Sequence, residues 1–89
     1  MRKQYFIGIN QRRRDVISEL LDRGATLMFH YHFVTQGLIE RTGFTDGEWM
    51  LITCTDDLEI NEIRTYLDYI CMCISEFKYE IFRYQHLKD

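Results

Sequence analysis

The sequence predicts a single α+β domain that spans residues 1–89. Three observations carry this prediction: short runs rich in β-branched and aromatic residues, two longer stretches with helical apolar spacing, and turn dipeptides between them. Hydrophobic residues make up 46% of the 89 residues, which suits one hydrophobic core and leaves little room for a second. We therefore expect one compact domain.

The first predicted elements are a strand and a helix. Residues 4–10 form a short run of β-formers that ends at a polar residue, which predicts a strand. Asn10 is suited to cap the helix that follows, and apolar residues at helical spacing predict that helix over residues 11–23. Glu19 can pair with Arg23 one turn later.

The middle of the chain is predicted to be β-structure. Residues 26–35 alternate along their length and are enriched in aromatic side chains, which favours a strand. Turn dipeptides at residues 36–37 and 46–47 predict two more strands, over residues 38–44 and 48–54. The second turn is Asp-Gly, a strong hairpin signal.

The clearest element is a second helix, over about residues 56–75. Asp56 followed by Glu59 resembles a capping box, and an apolar stripe predicts that this helix packs on a sheet. Residues 78–85 predict a last strand. The resulting order is β-α-β(β)β-α-β, that of the ferredoxin-like plait. We expect a mostly antiparallel sheet of four or five strands with both helices on one face.

Charge is distributed unevenly along the chain. The formal net charge is −3, but residues 1–45 carry +3 and residues 46–89 carry −6. This asymmetry permits a nucleic-acid contact at one end and a basic protein partner at the other. The chain shows neither a long apolar stretch nor a signal-peptide pattern, so we expect a soluble cytoplasmic protein without membrane contact.

Neither a metal site nor a catalytic centre is predicted. His30 and His32 share a face of their predicted strand, where two imidazoles can share a metal, but no third ligand has suitable spacing. Asp56 and Asp57 are explained as acids at a helix start, and nothing places a nucleophile beside a base. We expect no enzyme activity and no cofactor. The odd number of cysteines predicts reduced thiols that pack as small hydrophobes.

Arg12, Arg13 and Arg14 lie where the first helix is predicted to begin. Positive charge at that end opposes the helix dipole by about 0.3–1 kcal/mol for each side chain. One interpretation is an anion site made of guanidinium groups and free backbone N–H groups. The other is that Arg12 pairs with Asp15 while its neighbours reach acids in the C-terminal half.

A second stripe on the second predicted helix faces away from the apolar one. It consists of Glu62, Tyr66, Tyr69, Cys73 and Glu76, with Met72 beside it. Tyrosine and methionine are enriched at protein interfaces, which indicates a contact patch with an acidic rim. Scattered surface apolar residues are the alternative.

The sheet face away from both predicted helices is too apolar to remain in water. Another copy of the chain, a protein target or unpaired bases stacked on its rings are the candidate covers. The side chains predicted on this face are Phe6, His30, His32, Met50, Ile52, Phe82 and Tyr84.

Together these features predict a small non-catalytic regulator or inhibitor that docks on a larger protein, of a size also common among proteins of phages and other mobile elements. We expect it to form a homodimer or a higher homo-oligomer. The alternative is an RNA-binding or single-stranded nucleic-acid-binding protein. It would use the three arginines on phosphates and Phe6, Phe82 and Tyr84 on bases. The net acidity counts against this alternative.

Overall fold

The computed structural model describes residues 2–84, which form an α+β fold of three helices and a four-stranded antiparallel sheet. In chain order the elements are β1 (Lys3–Ile9), α1 (Arg14–Asp22), β2 (Thr26–Leu27), α2 (His32–Thr42), β3 (Glu48–Cys54), α3 (Asp57–Cys73) and β4 (Tyr79–Arg83). Across the sheet the strand order is β2-β3-β1-β4. Within the described part of the chain, no helix is long and apolar enough to cross a membrane.

Strand β1 lies at the centre of the sheet, where it pairs with β3 and β4. Phe6 stands opposite Leu51 on β3 and Phe82 on β4. Successive side chains of a strand point to opposite faces, so Phe6 and Ile7 lie on different sides of the sheet. We call the side that carries Ile7 the aliphatic face and the side that carries Phe6 the aromatic face.

Helices α1 and α3 cover the aliphatic face. Their buried side chains recur at helical spacing and pack on the strands. The core on this side includes Ile7, Ile9, Val16, Leu20, Met50, Ile52, Ile60, Ile63, Leu67 and Ile70. The prediction that Met50 and Ile52 lie on the opposite face is wrong, because the pairing of β3 with β1 sets Met50 opposite Ile7.

Helix α3 confirms the second predicted helix, with slightly shorter bounds. The Asp56 carboxylate accepts hydrogen bonds from the backbone N–H groups of Leu58 and Glu59, at 2.9 and 3.2 Å. The Glu59 carboxylate accepts one from the Thr55 N–H at 2.7 Å. The capping box therefore forms, but its return contact reaches one residue further back than usual.

The predicted β-structure in the middle of the chain is largely wrong. The strand expected over residues 26–35 is a strand only at Thr26–Leu27, and no strand forms over residues 38–44. The turn at residues 46–47 precedes β3 as predicted. A helix lies before that turn instead of a strand, so the expected hairpin and the fifth strand do not form.

Helix α2 replaces that β-structure because its sequence also has a helical pattern. Val34 and Leu38 are one turn apart and pack against the aromatic face. The helix ends at Gly43, whose φ of 78° is the left-handed conformation that glycine adopts easily. The Gly43 N–H donates to the Ile39 carbonyl at 2.7 Å, which closes the last turn.

The aromatic face is covered by α2, so helices lie on both faces of the sheet. The expectation of helices on one face holds for α1 and α3 and fails for α2. The cluster under α2 contains Phe6, Met28, Leu38, Phe44 and Trp49, with Leu51, Phe82 and Tyr84 packed against it. Helix α2, which was not predicted, thus covers the sheet face that was expected to be open.

Trp49 organises the aromatic face. Its ring stacks on those of Phe44 and Phe82, with centroids 6.1 and 6.2 Å away, and it is 2% exposed. A Cβ atom at Gly8, the neighbour of Trp49 on β1, would collide with the indole ring. The glycine in the middle of β1 is therefore explained by the close approach of Trp49.

The ends of the first helix and the last strand differ modestly from the prediction. Helix α1 begins three residues later than expected. Asn10 does not cap it, because the Asn10 side-chain amide donates to the Glu76 carbonyl at 2.8 Å and accepts from the Lys78 N–H at 2.7 Å. Strand β4 lies within the predicted residues 78–85, the last of which is outside the described residues.

Candidate functional site

The outward surface of α3 carries the predicted stripe. Tyr69 is 61% exposed and Met72 is 86% exposed. The Glu62 side chain and Cys73 are also exposed, whereas Tyr66 is half-buried. None of these five side chains belongs to the fully buried core, in agreement with the helical spacing of the stripe.

A surface groove of about 600 Å³ brings together part of this stripe. We call it the α3 groove. Its lining consists of Arg23 at the C-cap of α1 and Leu58, Asn61, Glu62, Thr65, Tyr66 and Tyr69 on α3. Met72 and Cys73 lie further along α3, and Glu76 lies beyond the helix with a φ of 65°. Three of the six predicted protein-binding residues therefore line one groove.

Arg23 forms one wall of the α3 groove. Its Nε donates to Glu19 Oε2 at 2.8 Å, which confirms the predicted pair, and its Nη1 lies 3.8 Å from Glu62 Oε1. The guanidinium carbon lies 5.7 Å from the centroid of the Tyr66 ring, within cation–π range. Two carboxylates and an aromatic face thus surround one cation at the edge of the groove.

Four residues of the α3 groove were not predicted: Arg23, Leu58, Asn61 and Thr65. Leu58 is 70% exposed in the first turn of α3. Its spacing to Tyr66 and Tyr69, eight and eleven residues, places all three on one side of a helix, and this signal was present in the sequence. Arg23 reaches the groove only because α1 packs beside α3, which no local spacing reveals.

A second cavity of about 230 Å³ shares Arg23 and Glu62 with the α3 groove. It extends to Cys54, which is 1% exposed. Burial raises the pKa of the Cys54 thiol, and the Glu59 carboxylate raises it further. A protonated thiol is a poor nucleophile, so Cys54 serves here as a buried apolar group. Cys73, in contrast, is exposed and does not pack as the sequence predicts.

The two tyrosines of the groove keep protonated hydroxyl groups. Burial raises the pKa of Tyr66, and the carboxylates of Glu19 and Asp15 raise it further. A hydrogen bond with the Cys73 side chain raises the pKa of Tyr69. Both hydroxyls therefore remain hydrogen-bond donors at neutral pH, beside rings that offer apolar surface.

The three arginines are placed differently from one another. Arg12 Nη2 donates to the Gly47 carbonyl at 3.2 Å, and its Nε lies 3.2 Å from Glu48 Oε1. Arg13 occupies the N-cap of α1 with its Nε 3.6 Å from an Asp15 oxygen. Arg14 is exposed in the first turn. Arg12 and Arg13 therefore pair with acids of the fold, although Arg13 rather than Arg12 takes Asp15.

The rings predicted to stack on bases pack under α2. Phe6 is 8% exposed, and its centroid lies 4.9 Å from that of Tyr84. Phe82 stacks on Trp49, and the Arg41 guanidinium carbon lies 4.7 Å from the Phe82 centroid. Phe6 is buried and Phe82 and Tyr84 are half-buried, so the three rings are not fully open to solvent.

An exposed aromatic segment, residues 29–33, was not predicted as a surface. Phe29, Tyr31 and Phe33 are 71%, 45% and 90% exposed, in the connection to α2 and at its start. The alternation that predicted a strand would have buried half of this segment. Five consecutive aromatic or imidazole rings were the available signal.

The candidate metal and acid groups do not converge on a site. His30 lies before α2 and His32 is its first residue, so they do not share a strand face. Residues 2–84 hold no group of three or more His, Cys, Asp or Glu side chains arranged for a metal ion. Asp56 caps α3, and Asp57 accepts from Lys3 Nζ at 2.9 Å, which lowers the pKa of Asp57.

The α3 groove brings together three of the six predicted protein-binding residues. It combines exposed apolar side chains, two phenolic hydroxyls and the Glu62 carboxylate. Comparisons of the chain with protein-family models, with curated proteins and with solved structures give no significant match.

Proposed function

We propose that this protein is a small non-catalytic regulator or inhibitor that docks on a larger protein through the α3 groove. The observation that carries the proposal is the groove itself, about 600 Å³ in volume, with Leu58 and Tyr69 largely exposed at its walls. Single exposed apolar residues are normal on a protein surface. Several that converge on one depression are typical of a binding surface.

The residue types at the groove favour a protein as the ligand. Covering a large apolar side chain contributes about 1.5–3 kcal/mol, so Leu58, Tyr69 and the nearby Met72 are the side chains that would anchor an interface. Tyrosine adds a hydroxyl that bonds to the backbone of a partner. The shallow, open form of the groove suits side chains projecting from another protein.

The fold proposal is a ferredoxin-like plait with α2 inserted between β2 and β3. The strand order β2-β3-β1-β4 and the antiparallel pairing are compatible with it. The fold alone does not determine function. Because α2 covers the aromatic face, it directs partner binding to the outward surface of α3.

Nucleic-acid binding has less support. Arg12 and Arg13 are paired with carboxylates, and Phe6 packs under α2. An aromatic ring has to be accessible to stack on a base. Self-association stays a prediction that analytical ultracentrifugation tests.

The proposal is tested by capture from native lysate with three tagged proteins. The wild type is compared with a Tyr69→Lys, Met72→Lys variant and with a Phe29→Lys, Phe33→Lys variant. The Phe29→Lys, Phe33→Lys variant is the control, because it also replaces two exposed apolar side chains with lysine, on the exposed aromatic segment. We expect one stoichiometric protein to bind the wild type and the aromatic-segment control, and to be lost with the groove variant.

The same capture separates the alternatives. Treatment with nuclease should leave the captured protein in place, and replacing Arg12, Arg13 and Arg14 with alanine should have no effect. Capture that survives the groove substitutions contradicts the proposed surface. Capture that depends on RNA and on the three arginines favours the nucleic-acid alternative.

A further inference from the structure

We infer that the partner segment bound in the α3 groove is basic, with an apolar side chain for the groove and an arginine or lysine for Glu62. This inference rests on the proposed function and adds the chemistry of the partner. It follows from the surroundings of Arg23 and from the charge around the groove.

The Arg23 guanidinium occupies a site whose surroundings suit a cation. Its guanidinium lies between Glu19 at 2.8 Å and Glu62 at 3.8 Å, over the ring of Tyr66. Paired carboxylates and an aromatic face are groups that bind guanidinium and ammonium ions in proteins. The long distance to Glu62, whose side chain is 72% exposed, leaves that carboxylate able to accept from a second cation.

The charge around the groove extends this preference. The segments that contribute its lining residues are acidic as a whole: residues 14–23 and 57–73 contain seven acidic and three basic residues, a net of −4, of which Glu62 and Arg23 line the groove. Complementary charge raises association rates and selects between partners. Apolar side chains beside the exposed Glu62 carboxylate, on segments with net negative charge, are the complement of a basic amphipathic segment.

Arg23 and Glu62 also line the second cavity, which reaches Cys54. A partner cation that takes the place of Arg23 beside Glu62 would free the Arg23 side chain to move outward. The groove and the second cavity would then join beneath it. Arg23 therefore acts as a competitor for the partner's cation, and its removal should strengthen binding.

The test is fluorescence anisotropy with three labelled peptides of about 15 residues that share one helical leucine pattern. Their polar positions are all lysine, all glutamine or all glutamate. We expect the lysine peptide to bind most tightly and to weaken as ionic strength rises. Glu62→Gln should weaken it roughly two- to fivefold, the range for one exposed ion pair, and Arg23→Ala should tighten it by a similar factor.

The matched control is Glu40→Gln on α2, which removes the same charge on the other side of the sheet and should leave binding unchanged. Equal binding of the lysine and glutamine peptides, or equal effects of the Glu62 and Glu40 variants, would overturn the basic-partner inference. Weaker binding by Arg23→Ala would overturn the competitor role. If lysate capture is still lost with the Tyr69, Met72 variant, the proposed function stands after either failure.

Discussion

The two faces of the sheet are closed in different ways. On the aliphatic face, α1 and α3 bury side chains such as Ile7, Leu20 and Leu67, all 0% exposed. On the aromatic face a single helix covers large rings, and Leu38 is its one buried residue. Because α3 buries one side on the sheet, its opposite side, with Tyr69 and Met72, stays exposed. The aromatic face uses its helix to protect its own core.

The largest expected effect is loss of stability from a cavity on the aliphatic face. Leu67→Ala should reduce the free energy of unfolding by about 2–5 kcal/mol, because Leu67 is fully enclosed between α3 and the sheet. Leu38→Ala is the matched change on α2 and should cost less, because Leu38 is 6% exposed whereas Leu67 is 0% exposed. Urea unfolding measures the loss of stability in both variants. A loss from Leu38→Ala that equals or exceeds that from Leu67→Ala would contradict the expected difference between the two faces.

Glycine 8 allows a second test at the junction of the two faces. Gly8→Ala would place a methyl group against the Trp49 ring, which is held by its contacts with Phe44 and Phe82. We expect a loss of about 1–3 kcal/mol, typical of an overpacked core. Urea unfolding followed by Trp49 fluorescence measures this loss of stability. An unchanged midpoint would show that the indole ring has room to move.

A substitution at Gly37, inside α2, is expected to increase the stability of the fold. A Cβ atom there has no neighbour within 4 Å, so Gly37→Ala removes only the conformational penalty of glycine in a helix. The variant should gain about 0.5–1 kcal/mol. A loss of stability would mean that α2 contacts the sheet more closely than the structure shows.

Alkaline pH should weaken the contact between β4 and α3. The Tyr79 hydroxyl donates to Asp68 Oδ1 at 2.6 Å, and burial together with this bond raises the pKa of Tyr79 to about 12. The folded state therefore holds the proton more tightly than the unfolded state. The contribution is complete below pH 10 and is lost between about pH 10 and 12.

Tyr79→Phe removes this titration. Its free energy of unfolding should fall less steeply over that pH range than that of the wild type, as measured by urea unfolding at several pH values. Part of the fall should remain, because the pKa values of Tyr66 and Cys54 are also raised. Identical pH profiles for variant and wild type would contradict a role for Tyr79.

The helices of the aliphatic face were predictable because they obey strong local rules, although the side of the sheet taken by Met50 and Ile52 was not. The cap at Asp56 and the apolar stripe of α3 are both visible in the sequence and both form. The aromatic face was not, because residues 26–44 satisfy two patterns at once. Alternating aromatics suggested strands, whereas Val34, Leu38 and Gly43 fit a helix with a glycine cap, and packing on the sheet selects the helix.

The residues of the candidate site also differ in how far the sequence predicts them. Glu62, Tyr66 and Tyr69 lie on one helix, so helical spacing alone predicted their shared surface. Arg23 joins them from a different helix, through packing that a single sequence does not encode locally. The pairing of Arg12 with Asp15 was predicted wrongly, because the partner of Arg12, Glu48, is distant in sequence.

The most direct test of the proposed function is hydroxyl-radical footprinting of the protein alone and with its captured partner. We predict that binding protects the side chains of Tyr69 and Met72 from oxidation and leaves Phe29 and Phe33 as reactive as before. Protection of Phe29 and Phe33 with no change at Tyr69 and Met72 would contradict it and move the binding surface to the aromatic segment.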